Sequence, residues 1–192
     1  MAEVRRLYHP SGELRSEVYI LNGKMYGEYK SYYRNGQLEI ICSYINDKMN
    51  GEYKEYWDNG ELWKICSYTN DKKNGTYKSY HQGRSRHLFQ ICSYIDGKLN
   101  GVYKEYYENG CELTDVNSKR KNMSSTDSFG QLEIECSYTN DKKNGEYKSY
   151  YGNGQLECIC SYTNDKLNGE YKGYNESGDL IENCIYENDI KS

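Results

Sequence analysis

Apolar and polar residues alternate along most of the chain with the two-residue period of a half-buried strand, as in Leu38-Glu39-Ile40-Ile41-Cys42-Ser43-Tyr44. Asn-Gly and Asn-Asp pairs such as Asn35-Gly36 and Asn46-Asp47 separate these stretches. Asn-Gly is a strong hairpin signal because both residues tolerate positive φ in a two-residue type I′ turn. The pattern predicts two antiparallel strands per unit. No stretch carries an i, i+3, i+4 apolar stripe over a helix length, so the chain is expected to be almost free of helix.

The units repeat. The glycine that opens Gly51-Glu52-Tyr53-Lys54-Glu55-Tyr56 recurs at Gly27, Gly75, Gly101, Gly145 and Gly169, with a period of 24 residues. Such self-similarity marks elements that bury themselves only against their neighbours, so function is to be sought on a surface. A turn at Asn35-Gly36 sets Tyr33 opposite Leu38, Ser31 opposite Ile40, Tyr29 opposite Cys42 and Gly27 opposite Tyr44. A turn at Asn46-Asp47 sets Tyr44 opposite Met49, Cys42 opposite Gly51 and Ile40 opposite Tyr53, which places the same residues on the same face. The other face carries Glu28, Lys30, Tyr32, Glu39, Ile41 and Ser43 and is mostly polar.

Composition supports strands and tight turns: 24 Tyr against 2 Phe and 2 Trp, with 18 Gly and 1 Pro. A formal charge of −4 provides no field that would hold DNA, RNA or an anionic bilayer, so no nucleic-acid partner is expected. The N-terminus lacks the apolar run of a signal peptide, which predicts an intracellular protein, in the cytoplasm of its host or in a virion. Two places break the period. His81-Gln82-Gly83-Arg84-Ser85-Arg86-His87 is two residues longer than its equivalents, which predicts an enlarged hairpin tip made basic by Arg84, Arg86 and His87. Residues 114–130 are polar and serine-rich without periodicity, and are expected to be a disordered loop between residues 1–113 and 131–192 of one continuous domain.

Gly51-Glu52-Tyr53-Lys54-Glu55-Tyr56 with Asn59-Gly60, Leu62, Tyr68 and Lys72, and Gly145 to Tyr150 with Asn153-Gly154-Gln155-Leu156, resemble the variant MORN repeat. Six full copies and a degenerate copy at each end share the pattern. The resemblance implies an all-β fold, an elongated single-layer antiparallel meander of tandem hairpins that serves as an interaction or scaffolding module. It implies no chemistry. Similar arrays are abundant in giant DNA viruses of amoebae and in bacterial proteins labelled antitoxin-like, and standard MORN repeats are associated with phospholipid contact.

The candidate interaction surface is the tyrosine face: Tyr29, Tyr33, Tyr53, Trp57, Tyr77, Tyr103, Tyr107, Tyr147, Tyr151 and Tyr171. The partner expected there, or else on the polar face, is another protein, with a phospholipid tether or an antitoxin-like inhibitor as alternatives. Cys42, Cys66, Cys92, Cys136, Cys160 and Cys184 fill one repeat position. Strands about 4.8 Å apart put equivalent cysteines roughly 9.6 Å apart, too far for a disulfide or a zinc site, so they are expected to pack as small apolar groups. The lysine column at Lys30, Lys54, Lys78, Lys104, Lys148 and Lys172 reads as a solvated face beside Glu28, Glu52, Glu146 and Glu170. His9, His81 and His87 lack a nucleophile and an orienting carboxylate, so neither catalysis nor a cofactor or metal is expected.

Overall fold

The computed structural model describes residues 2–83, 87–108 and 128–191, and every regular element among them is a strand. In chain order these are β1 (Ala2–Tyr8), β2 (Leu14–Leu21), β3 (Lys24–Tyr32), β4 (Leu38–Ile45), β5 (Lys48–Met49), β6 (Gly51–Tyr56), β7 (Leu62–Thr69), β8 (Lys72–Lys73), β9 (Gly75–Tyr80) and β10 (His87–Ile95). They continue as β11 (Lys98–Leu99), β12 (Gly101–Tyr106), β13 (Ser128–Phe129), β14 (Leu132–Thr139), β15 (Lys142–Tyr150), β16 (Leu156–Thr163), β17 (Lys166–Leu167), β18 (Gly169–Tyr174), β19 (Leu180–Glu187) and β20 (Ile190–Lys191).

Two compact units are present, Met1–Ser85 with Tyr94–Lys98, and Arg86–Ser93 with Leu99–Ser192. In the first, β1, β2, β3, β4, β6, β7 and β9 pair in sequence, each antiparallel to the next, with β5 and β8 folded back on β4 and β7. In the second, β10, β12, β14, β15, β16, β18 and β19 do the same, with β17 and β20 on β16 and β19. Each unit is an all-β antiparallel meander, as the pattern predicts. One pairing departs from it: β13 lies parallel to β10, with His87 opposite Ser128 and Leu88 opposite Phe129. The end of the segment expected to be a loop is therefore a strand, and its remainder up to residue 127 lies outside the described residues.

The turns differ from the expected ones in an instructive way. Both residues of Asn46-Asp47 have positive φ, 51° and 67°, which is the two-residue turn the sequence predicts. Asn35-Gly36 is not such a turn. Gly36 N–H donates to the Tyr33 carbonyl and Tyr33 N–H to the Gln37 carbonyl, both at 2.9 Å. The loop is therefore the three residues Arg34-Asn35-Gly36, with only Gly36 left-handed at φ 82°. A bulge between Ser31 and Tyr32 absorbs the difference, so Tyr32 and not Tyr33 sits opposite Leu38. Beyond the bulge Ser31 faces Ile40, Tyr29 faces Cys42 and Gly27 faces Tyr44, in the expected register.

A second step overturns the expected pairing of Cys42 with Gly51 and Ile40 with Tyr53. Ile40 lies opposite Glu55 and Ile41 opposite Lys54. The strand takes up two extra residues between Asn50 and Lys54: Asn50 N–H still donates to the Ser43 carbonyl at 2.9 Å, in step with Met49 opposite Tyr44, and Gly51, the first residue of β6, adopts φ 100°. Only glycine takes that conformation without Cβ strain. A slip of two residues preserves the faces, whereas a slip of one would have inverted them.

Successive repeats are also tied at their turns. The Asp47 carboxylate accepts Met25 N–H at 2.8 Å while Asp47 N–H donates to the Met25 carbonyl at 3.1 Å, and Asp71 repeats this on Met49. On the opposite margin the Asn35 amide donates to the Asp58 carbonyl at 2.7 Å. The most enclosed side chains, including Cys42, Cys66, Cys92, Cys136 and Cys160 with Ser31, Ser79 and Ser149, lie between these margins.

Candidate interaction face

Strand pairing sets Tyr103 opposite Cys136, Cys136 opposite Tyr147, Tyr147 opposite Cys160 and Tyr171 opposite Cys184. Tyrosine and cysteine thus alternate across the strands. The small thiol leaves room for each ring to lean over it, which is why Cys136 and Cys160 are 3% exposed on a sheet surface. Each leaning ring meets a second tyrosine edge-on or tilted: Tyr29 with Tyr44, Tyr53 with Tyr68, Tyr77 with Tyr94, Tyr103 with Tyr138, Tyr147 with Tyr162 and Tyr171 with Tyr186, at centroid separations of 5.6–6.1 Å. These tyrosines are half-buried and their outer edges form the surface.

Several hydroxyls are committed to the fold. Tyr33, Tyr107 and Tyr151 donate to the carbonyls of Tyr56, Tyr150 and Tyr174 in the following repeat, at 2.7–2.8 Å. His9 holds the corresponding place in the first repeat, with Nε2 3.1 Å from the Tyr32 carbonyl. Trp57 holds it too, stacked on Trp63 at 4.4 Å, but its Nε1 is buried without an acceptor. Tyr53 and Tyr103 donate to Glu55 and Glu105 at 2.5 Å. Burial, then these carboxylates, push both phenols up, and burial first, with the neighbouring cysteines Cys42, Cys66 and Cys136, raises Tyr44, Tyr68 and Tyr138 to about 12. At neutral pH the face is uncharged at these rings. Lys73 Nζ lies over Tyr77 and Tyr94 at 4.8 and 4.9 Å, and Lys143 over Tyr147 and Tyr162 at 4.9 and 5.2 Å, so cations sit among the aromatics.

Four lysines of the other face are paired within their own strands, Lys30 with Glu28, Lys54 with Glu52, Lys148 with Glu146, all at 2.5 Å, and Lys172 with Glu170 at 2.8 Å, while Lys104 pairs across to Glu135 on β14 at 2.9 Å. Exposed pairs of this kind add little stability, but they cancel the charge of the column. Among the described residues no three His, Cys, Asp or Glu side chains come together as a metal site. The described cysteines are all free thiols. Of the predicted basic tip, Arg84 and Arg86 lie outside the described residues. His87 is not at a tip: it begins β10, half-buried, with Nδ1 enclosed and unpartnered.

Sequence reading missed a groove of about 360 Å³ in the first unit, where His9, Arg15 and Arg34 converge with Tyr32, Tyr33 and Glu39. The signal was present in the repeat. Arg15 stands where Glu39, Glu133 and Glu157 stand, and Arg34 where Asp58, Glu108 and Glu176 stand.

The MORN repeat variant model matches residues 25–46, 49–70, 99–110, 143–164 and 167–188, just over half of the chain. The chain belongs to this family. MORN repeats commonly serve as interaction or membrane-binding modules. The crystal structure of TcdB2-TccC3-Cdc42 contains a chain that aligns with 96% of this MORN array at 12% identity and a TM-score of 0.24. The array spans 13% of that chain, and so low a score carries no argument. No curated protein matches. Among the described residues no helix is long and apolar enough to cross a membrane.

Proposed function

We propose that this MORN array is a non-catalytic scaffold that binds another protein through its tyrosine face. The observation that carries the reading is the series of six half-buried tyrosine pairs with Lys73 and Lys143 lying among them. Rigid amphipathic rings give contact area at small entropic cost, and tyrosine is enriched in protein interfaces for that reason. A phospholipid surface is the less favoured reading, because Glu28, Glu52, Glu146, Glu170 and Glu135 neutralise five lysines of the column that would have to face the headgroups.

Cross-linking with an amine-reactive reagent in the native host cell, followed by mass spectrometry, tests this. Cross-links to one protein concentrated at Lys73 and Lys143 support the reading. Cross-links confined to Lys30, Lys54, Lys148 and Lys172 overturn the choice of face. Co-sedimentation with anionic liposomes at physiological salt, without a protein cross-link, overturns the choice of partner.

A further inference from the structure

Where two repeats meet, one place in the row pairs residues across adjacent strands: Ile40 with Glu55, Lys64 with Ser79, Ile134 with Ser149 and Cys158 with Gly173. Between β2 and β3 that place holds two hydroxyls, Ser16 and Ser31. Such small side chains leave a low floor, and the groove of about 360 Å³ lies over them. Ser31 Oγ donates to the Glu39 carboxylate at 2.9 Å. Ser16 also lines the groove and is only 8% exposed, yet its hydroxyl has no hydrogen-bond partner among the described residues.

The cations of the groove are equally particular to this junction. Leu7 lies opposite Ser16 and Tyr8 opposite Leu14, so Arg15 is the extra residue of a bulge and has no partner across β1. A bulge re-aims its side chain, and Arg15 lines the groove beside Ser16. Glu39 holds the same bulge place one repeat on, between Leu38 and Ile40. Arg34 comes from the three-residue tip between β3 and β4, and His9 from the tip between β1 and β2, with Nε2 3.1 Å from the Tyr32 carbonyl. Arg5 and Arg6 pair with Glu3 and Glu17, whereas neither Arg15 nor Arg34 holds an ion pair among the described residues. Glu13 of the first tip is hydrogen-bonded to Ser11 and feels Arg34 only through space.

We infer that this groove receives the carboxylate of an Asp or Glu side chain from the protein bound on the tyrosine face. Two guanidinium groups and the Ser16 hydroxyl are donors suited to a planar oxyanion. With His9 neutral, two arginines against Glu39 leave the lining one positive charge, which a single carboxylate cancels and a dianionic phosphate exceeds. Tyr29 and Tyr33 belong both to the groove wall and to the tyrosine face, so a chain lying on that face reaches the arginines without leaving it. The inference rests on the scaffold reading and gives the partner its chemistry, an acidic segment.

Two measurements test it. Side-chain Nε–H spectra of the full chain carrying isotope-labelled arginine, titrated with N-acetylglutamate N-methylamide, should show the Arg15 and Arg34 signals shifting together to saturation. Arg15→Glu and Arg34→Asp, which copy Glu39 and Asp58, identify the signals and should each weaken binding about tenfold. Ser16→Ala should weaken it several-fold, and Arg5→Gln should leave it unchanged. Circular dichroism matched to the unaltered chain excludes misfolding as the cause. No saturable shift, an equal response to N-acetylglutamine N-methylamide, tighter binding of inorganic phosphate, or indifference to the arginine substitutions overturns the inference.

The host-cell cross-linking, repeated with the Arg15→Glu Arg34→Asp chain, should lose most of the partner that the unaltered chain captures. A partner captured equally by both chains overturns the inference and leaves the scaffold reading standing. No partner captured by the unaltered chain, with blocked glutamate still bound by the purified protein, overturns the scaffold reading and with it the protein source of the carboxylate.

Discussion

The Asp165 carboxylate accepts the backbone N–H of Lys143 at 2.7 Å, and the Asp165 N–H donates to the Lys143 carbonyl at 3.0 Å. One residue thus closes its own hairpin with φ 69° and clamps the hairpin of the preceding repeat. Stability in a repeat array is largely the sum of such nearest-neighbour terms.

The chain contains its own control for this clamp. Gly97 holds the equivalent place and keeps the backbone bond, to the Lys73 carbonyl at 2.8 Å, with no carboxylate to make the second. Asp165→Asn should cost about 0.5 kcal/mol, since an amide oxygen still accepts, and Asp165→Gly about 1 kcal/mol. Asp165→Ala should cost about 2–3 kcal/mol, because it loses the bond and strains a left-handed backbone as well. Urea denaturation measures the order. Alanine no worse than glycine would show that backbone strain plays no part.

The Tyr151 hydroxyl makes a different link, to the Tyr174 carbonyl at 2.8 Å, and Tyr33 makes the same one to Tyr56. Tyr151→Phe and Tyr33→Phe should each destabilise by about 1 kcal/mol, additively, because the sites share no partner. A change below a few tenths in urea titration would mean that water replaces the phenol.

The faces were legible in the sequence and the junctions were not. Period-two alternation places Tyr29, Cys42 and Tyr44 together, and the structure keeps them together. Asn-Gly misled, because the turn type depends on the bulge at Ser31 and Tyr32, which Asn35-Gly36 does not report. The register step between Asn50 and Lys54 had a readable signal in the glycine that opens each repeat, a residue with no side chain to pack but able to turn the backbone. Arg15 and Arg34 were readable as well, by comparing equivalent places and not by motif.

Stability should fall at alkaline pH. Burial raises the Cys42 thiol to about 11 and the Tyr44, Tyr68 and Tyr138 phenols to about 12, and it pushes Cys66 and Cys136 up too. Each group holds its proton more tightly in the folded chain, so its contribution is complete below its unfolded pKa and is lost as pH rises through the folded one. The Tm should stay level from neutral pH to about 8.5, the ordinary thiol value, and drop steadily above it. A level Tm through pH 11 would show that these side chains are hydrated in the folded chain.

Cys158 should be the first of the described thiols to react. Most of the cysteine row is deeply buried, which keeps the thiols protonated and shielded, whereas Cys158 is partly exposed. Cys160 donates to its sulfur and lowers its pKa against the opposing effect of burial, and the Ser149 hydroxyl, which also donates to Glu157 Oε2 at 2.8 Å, lies 3.2 Å from it and lowers it further. Thiolate is the reactive form, so a lower pKa and access act in the same direction. Brief treatment of the folded Cys111→Ser chain with iodoacetamide at neutral pH, followed by peptide mass spectrometry, should find the label on Cys158 ahead of Cys184 and at background on Cys42, Cys66, Cys92 and Cys136. Ser149→Ala should slow the labelling at Cys158 and leave Cys184 unchanged. Equal labelling of Cys158 and Cys184 would mean that exposure alone governs reactivity and that the hydrogen bonds from Cys160 and Ser149 do not hold the thiolate.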